Sequence, residues 1–301
     1  MRTMASDTTR GYLYTVAGAV CAGTVPTLFK LLLPDDGPVT VSGLGMLLSG
    51  VLLLAYRPKL RPNRLSLPFI LFIGLVGAGA AYVMWAIGLS QTTAVNASLL
   101  ANAEIPFTTL IAYLFLGERL GRGQAGTGLL VVAGIVIVST NLDLAKVQFL
   151  QGLLGNVLII GATFMWGVEN NVLATVAPRF GATLLTKYRN LLGGAVLTVF
   201  IVLGGLSVKL TQFDVIVLVL LGLAVTGTTY FFIAALQHIG AIKMILTYSL
   251  STVFGAAFAL LVLGEQLTSV QLIGGAVIIA GVYLFHRSEE AGARRNGLGV
   301  K

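Results

Sequence analysis

Inside the apolar stretch "LLANAEIPFTTLIAYLFLGERL" (residues 99–120), Glu104 stands two residues ahead of Pro106. A carboxylate in hydrocarbon is costly. It is kept where it faces a bundle interior or a water-filled cavity, so such a group marks a pathway by default. Pro106 has no N–H, which leaves the carbonyl of Asn102 without its helical donor. A carbonyl freed in this way can bind an ammonium, a water or a neighbouring helix. Asn96 and Asn102 lie in the same segment. A second polar cluster, "MWGVENN" (165–171), carries Trp166, Glu169, Asn170 and Asn171. A third set is aromatic: Tyr82, Trp85, Tyr230 and Tyr248. Tyr and Trp supply apolar walls with a few directional donors, which suits a small amphipathic ligand. The chemistry on offer is therefore binding.

The candidate substrate-binding residues are Tyr82, Trp85, Asn102, Glu104, Trp166 and Tyr248, with Pro26 and Pro106 as kinks available to a gating motion. Structural readings stand beside these. Glu104 can pair with Lys30 or Arg189 and simply hold helices together. Glu169 can be solvated near the end of its helix, and Trp85 and Tyr230 can be lipid-boundary rings.

Catalysis finds no support. The sequence has no HExxH, GxSxG or Walker A pattern and no aspartate cluster within an apolar run. Two histidines and the single Cys21 leave no zinc or haem ligand set. One cysteine also excludes an internal disulfide. The expectation is a non-enzyme with no catalytic residues, no metal and no cofactor.

The elements that must position these residues are apolar helices. The 301-residue chain is 56% hydrophobic and only 10% charged, with a mean hydropathy of +0.94. Ordinary soluble domains carry roughly 25% charged residues. So little polar surface cannot cover a water-exposed globule, and long apolar runs send that surface into lipid. The 37 glycines fit close helix packing there. Ten spans are expected near 11–33, 37–56, 67–89, 93–116, 123–140, 150–174, 181–205, 212–237, 243–263 and 269–286. The first is read as a retained helix, since no small-residue cleavage site follows it.

The net charge of +8 is scattered among helix ends, which argues for membrane orientation and against nucleic acid. Arg2, Arg10, the loop "YRPKLRPNRL", Arg119, Arg122, Arg179, Lys187, Lys243 and the tail "HRSEEAGARRNGLGVK" fall on one side. Lys30, Lys146, Lys209 and the acidic "PDDGP" fall on the other. The positive-inside rule then puts both termini in the cytoplasm.

The chain also repeats itself. "AVNASLLANAEIPFTTLIAYLFLGERL" (94–120) aligns without gaps on "AIKMILTYSLSTVFGAAFALLVLGEQL" (241–267), and "GLVGAGAAY" (74–82) on "GLAVTGTTY" (222–230). Gly117-Glu118 falls on Gly264-Glu265, Phe107 on Phe254 and Tyr82 on Tyr230. Two five-span halves follow, about 1–145 and 146–301. An odd number of spans per half inverts one copy relative to the other, an architecture with its substrate site at the repeat interface. Recurrence of Glu118 and Glu265 at equivalent helix ends favours a role in the turn over contact with substrate.

With these motifs in order, the chain resembles a ten-span member of the drug/metabolite transporter superfamily, EamA type. The resemblance is carried by "PFTTLIAYLFLGERL" and its second copy "FGAAFALLVLGEQL", by "MWG" in the sixth span and by "KYRNLLGG" in the seventh. It implies an all-α membrane basket with a pseudo-two-fold axis and a central cavity. It also implies transport of small metabolites, usually outward in bacteria. The copies differ at polar positions: Val253 stands for Pro106, Ser251 for Glu104, and Gly45 for Arg189.

The reading reached is an exporter working by alternating access. Aromatic and other large neutral amino acids are the expected cargo, and the bacterial cytoplasmic membrane the expected location. A zwitterion needs a partner for its ammonium, donors for its carboxylate and an apolar wall for its side chain. The expected partners are that small molecule and the bilayer, with the chain acting as a monomer. A broad-specificity exporter is the alternative. An ion channel lacks both a ring of like charges and a carbonyl filter.

Overall fold

The computed structural model describes residues 2–34, 36–56, 66–115, 122–140 and 148–295, and all regular structure among them is helical. Glu118 with its repeated turn, Arg119, Lys146 and most of the basic "YRPKLRPNRL" loop lie outside the described residues. The helices are α1 (Arg2–Leu32), α2 (Pro38–Leu52), α3 (Leu67–Ser90), α4 (Ala94–Phe115) and α5 (Arg122–Thr140). They continue as α6 (Gln148–Phe180), α7 (Ala182–Leu203), α8 (Gln212–Ile239), α9 (Ala241–Tyr248 then Leu250–Leu263) and α10 (Ser269–Arg295).

Five of these, α1, α3, α4, α6 and α8, contain described segments long and apolar enough to cross a membrane. Pro38–Leu52, Gly126–Val138, Leu250–Leu263 and Ser269–Leu284 are apolar but shorter. Helix α7 carries Lys187 and Arg189.

Local chemistry sets several ends. Pro38 opens α2, where a missing N–H costs nothing. At the start of α8, Thr211 and Asp214 form a reciprocal capping box. Gly264 closes α9 at φ 66°, a conformation that favours glycine. Glu265 then reaches across to α4. Its carboxylate accepts from the N–H groups of Ala94 and Val95 at 2.9 and 3.0 Å. A negative charge on free N–H groups at a helix start is stabilising, so Glu265 acts as an interhelix cap.

Two helices change pitch where the sequence is unusual. In α3, residues Ile73–Ala80 form a π-helical segment containing Gly74, Gly77 and Gly79. In α4, Ala101–Ala103 tighten into a 3₁₀ turn just before Glu104 and Pro106. Pro106 itself lies within the α-helical stretch Glu104–Phe115 that follows the turn. Helix α1 runs on through Pro26.

Packing pairs recur between the first five helices and the last five. Helix α1 lies along α8 and α9, while α6 lies along α3 and α4. Helix α2 packs on α7, and α5 on α10. Gly23 of α1 is pressed on Phe254 of α9, as Gly167 of α6 is pressed on Phe107 of α4. Without water between them, helices gain by such close approach.

The α5–α10 contact shows how close. A Cβ on Gly134 would lie 2.6 Å from the Ile278 side chain and 2.8 Å from the Gly274 carbonyl. Gly126, on the same helix, has nothing within 4 Å of an added Cβ. Gly134→Val should therefore lower the detergent unfolding midpoint by the equivalent of about 1–3 kcal/mol, the usual cost of overpacking. Gly126→Val should leave that midpoint nearly unmoved.

Candidate functional site

The helices line a partly open cavity of about 150 Å³. Its wall is drawn from α1, α3, α4, α6, α7, α8 and α9. Three ionisable side chains of acid or base type face it: Glu104, Glu169 and Arg189.

Glu169 and Arg189 form a bidentate ion pair. Arg189 Nε donates to Glu169 Oε1 at 2.6 Å and Nη2 donates to Oε2 at 2.9 Å. Its Nη1 donates to Asn190 Oδ1 at 3.1 Å. Asn190 donates onward to Ser49 Oγ at 2.7 Å, and Ser49 shares a hydrogen bond with Thr226. The chain of bonds thus runs from α6 through α7 to α2 and α8. Fork-to-carboxylate geometry is the strong form of such a pair.

The π-helical segment of α3 makes room for it. A Cβ on Gly77 would overlap the Glu169 carboxylate. The Gly77 carbonyl also accepts from Trp166 Nε1 at 3.0 Å, which fixes that indole. Trp166 stands 6.5 Å from the ring of Tyr82 and 6.5 Å from that of Trp85. Tyr82 and Trp85 are 5.4 Å apart, and Phe29 meets Trp85 edge-on at 5.3 Å. Across the cavity Phe232 and Tyr248 pack edge-to-face at 5.0 Å.

Glu104 is held differently. One carboxylate oxygen accepts from Asn170 Nδ2 at 2.5 Å. Among the described residues neither Lys30 nor Arg189 makes an ion pair with it, so the expected structural pairing of Glu104 is not found. Arg189 belongs to Glu169. The solvated reading of Glu169 is corrected at the same time, since that residue is 2% exposed.

Among the described residues three residues of the cavity wall carry hydroxyls without a hydrogen-bond partner, Tyr82, Ser98 and Thr228, as do Thr27 and Thr186 away from it. Buried polar atoms normally find partners.

Of the residues named from sequence, Tyr82, Trp85, Glu104, Trp166, Tyr248 and Pro26 line the cavity together. Asn102 and Pro106 are not on its wall. Asn102 donates to Thr252 Oγ1 at 2.6 Å and to the Leu99 carbonyl at 3.0 Å, and Thr252 donates to the Ser98 carbonyl. Its amide is spent holding α4 to α9. Asn96 binds Thr92 and Gln271 instead, and Tyr230 packs on Phe231. Trp85, 4% exposed, is no lipid-boundary ring. Sequence reasoning did not single out Ser98 or Thr228. Short hydroxyls in apolar helices usually bond back to their own helix, so their type carries no signal.

The model of the EamA-like transporter family matches residues 9–140 and again 153–287. A transporter of uncharacterised activity from Methanothermobacter thermautotrophicus is 26% identical over 92% of this chain and 86% of its own. A probable amino-acid metabolite efflux pump of Escherichia coli is 26% identical over 85% of this chain and 88% of its own. A solved crystal structure superposes with a TM-score of 0.68 at 16% identity, covering 95% of this chain and 98% of its own. At that identity the likeness speaks for the fold alone.

Removing one member of a buried pair strands the other charge, so Arg189→Gln should destabilise the protein by about 3–5 kcal/mol. Gly77→Ala should act through the same pair by pushing on Glu169. Gly79→Ala, whose added Cβ meets only the Gly74 carbonyl at 3.4 Å, should be tolerated. Thermal unfolding in detergent would rank the three variants, and an unaffected Gly77→Ala would contradict the packing described.

Proposed function

The chain belongs to the EamA-like transporter family, and from that premise we propose that it exports small amphipathic metabolites, aromatic and other large neutral amino acids foremost. Family membership makes it a multi-pass membrane transporter of small molecules and not an enzyme. The finer reading rests on one observation: a cavity joins an aromatic wall, a carboxylate without a basic partner and unpartnered hydroxyls.

The dimensions suit such a cargo. A cavity of about 150 Å³ is roughly the size class that admits a benzene-sized group. The ring of the cargo lies among Tyr82, Trp85 and Trp166, its ammonium beside Glu104, and its remaining polar atoms against the hydroxyls. The likeness to the probable amino-acid metabolite efflux pump of Escherichia coli supports amino-acid metabolites as the class. Within the family we infer that the chain is most like the bacterial aromatic amino acid exporter YddG.

In this reading residues 1–145 and 146–301 are two inverted five-helix repeats of a ten-span drug/metabolite transporter fold. The paired helix contacts, and the equivalent seats of Phe107 and Phe254, support it. Cargo crosses by alternating access as the repeats rock about the cavity. Both termini lie in the cytoplasm, the membrane is the bacterial cytoplasmic membrane, and one chain carries the whole site.

Reconstituted protein should support counterflow of labelled phenylalanine or tryptophan without ion current. Free passage of ions, with amino acids, drugs and nucleotide sugars all immobile, would sink the proposal. Tyr82→Phe gives a sharper test, because its hydroxyl has no protein partner. Losing one hydrogen bond of about 1 kcal/mol should slow counterflow roughly fivefold, while the unfolding midpoint stays level or rises.

A further inference from the structure

Charge in the cavity wall does not balance. Two carboxylates, Glu104 and Glu169, face one guanidinium, Arg189. Arg189 is engaged on all three nitrogens, by Glu169 at Nε and Nη2 and by Asn190 at Nη1. Glu104 receives only the neutral amide of Asn170 at one oxygen. No other lysine, arginine or histidine lines the cavity among the described residues. With both carboxylates ionised the wall carries one net negative charge, which a buried carboxylate sheds by taking a proton unless a cation pairs with it.

We propose that the cavity selects a monocationic arylalkylamine, a primary ammonium joined to an aromatic ring with no carboxylate. The proposal rests on the reading of this cavity as the site of small amphipathic metabolites, and within that class it ranks the amine ahead of the amino acids named above. A zwitterion brings no net charge and leaves the wall's excess in place. Its carboxylate would also enter beside Glu104, where Arg189 is the one lysine, arginine or histidine of the wall among the described residues and its charge is already offset by Glu169. A monocation neutralises the wall instead. Its ammonium has three donors. Glu104 takes the ammonium through charge-assisted bonds, since among the described residues only one of its two oxygens is engaged. The indole faces of Trp85 and Trp166 favour a cation further.

The molecule carries its own reporter. Its two tryptophans, Trp85 and Trp166, both line the cavity, so intrinsic fluorescence reads occupancy directly. Titrations of the intact protein in detergent at neutral pH would compare phenethylamine, phenylalanine, 3-phenylpropionate and 2-phenylethanol, which vary the charge around one ring. Phenethylamine should bind at least about tenfold more tightly than phenylalanine or 2-phenylethanol, as expected for a charged hydrogen-bond partner, with 3-phenylpropionate weakest. Phenylalanine binding as tightly as phenethylamine would overturn the proposal. If phenylalanine also shows counterflow, the exporter reading survives that result. Absence of binding and counterflow for the whole series would remove both. In folded Glu104→Gln the gap between phenethylamine and 2-phenylethanol should collapse to about twofold or less, and a gap that persists overturns the role given to Glu104. The ligand series on the unmodified protein decides the matter even where that variant does not fold.

Discussion

A charge can be held among apolar helices only with a partner and filled hydrogen-bond positions, and the Glu169–Arg189 pair satisfies both demands at once. Much of the bundle's centre is arranged around that need. Two donors of the guanidinium fork go to one carboxylate, and the next goes to Asn190. Asn190 in turn requires Ser49, and Ser49 requires Thr226. One ion pair thus fixes the approach of four helices. It also dictates that α3 carry glycine at position 77, where any side chain would meet the Glu169 carboxylate. The π-helical turn presents that glycine's carbonyl to Trp166. Such turns recur at functional sites because they change where backbone groups point.

The polar groups of the interior divide by whether they have partners. Those that do, such as Asn102 with Thr252 and Gln237 with the Ala177 carbonyl, tie one helix to another. Of the five buried hydroxyls without a partner among the described residues, three belong to residues of the cavity wall, Tyr82, Ser98 and Thr228. A buried hydroxyl left without a partner costs free energy. Arranging several around one space makes that space favour a polar molecule over an apolar one of equal size. The fixed rings of Trp85 and Trp166 then add shape.

Much of this was legible in the sequence because hydrocarbon makes polar residues conspicuous. Glu104, Trp166, Tyr82 and Tyr248 stood out against apolar neighbours, and they meet in the cavity. Pro106 announced a break in α4, and a 3₁₀ turn lies ahead of it at Ala101–Ala103, while Pro106 itself is in α-helix. What could not be read was partnership. Helical position does not say which carboxylate Arg189 takes, since Glu104 and Glu169 face the same cavity. Asn102 resembled a site residue because its amide is polar, yet it faces Thr252 on α9. Ser98 and Thr228 were silent, since their importance lies in a bond they do not make. Gly77 resembled any other packing glycine until the Glu169 carboxylate was seen against it.

Related packing and unrelated polarity coexist in this molecule. Phe107 and Phe254 occupy equivalent seats on Gly167 and Gly23, so the apolar framework treats the two sets of five helices alike. The polar positions do not follow. Ser251 stands where the sequence repeat would put a second Glu104, and both face the cavity. Gly45 stands in the place of Arg189, and among the described residues no second guanidinium lines the wall. Two copies of Glu104 would double the uncompensated charge in a space of about 150 Å³. Two copies of the ion pair would fill it. Divergence at these few polar positions leaves the glycine–phenylalanine contacts of both sets of helices in place.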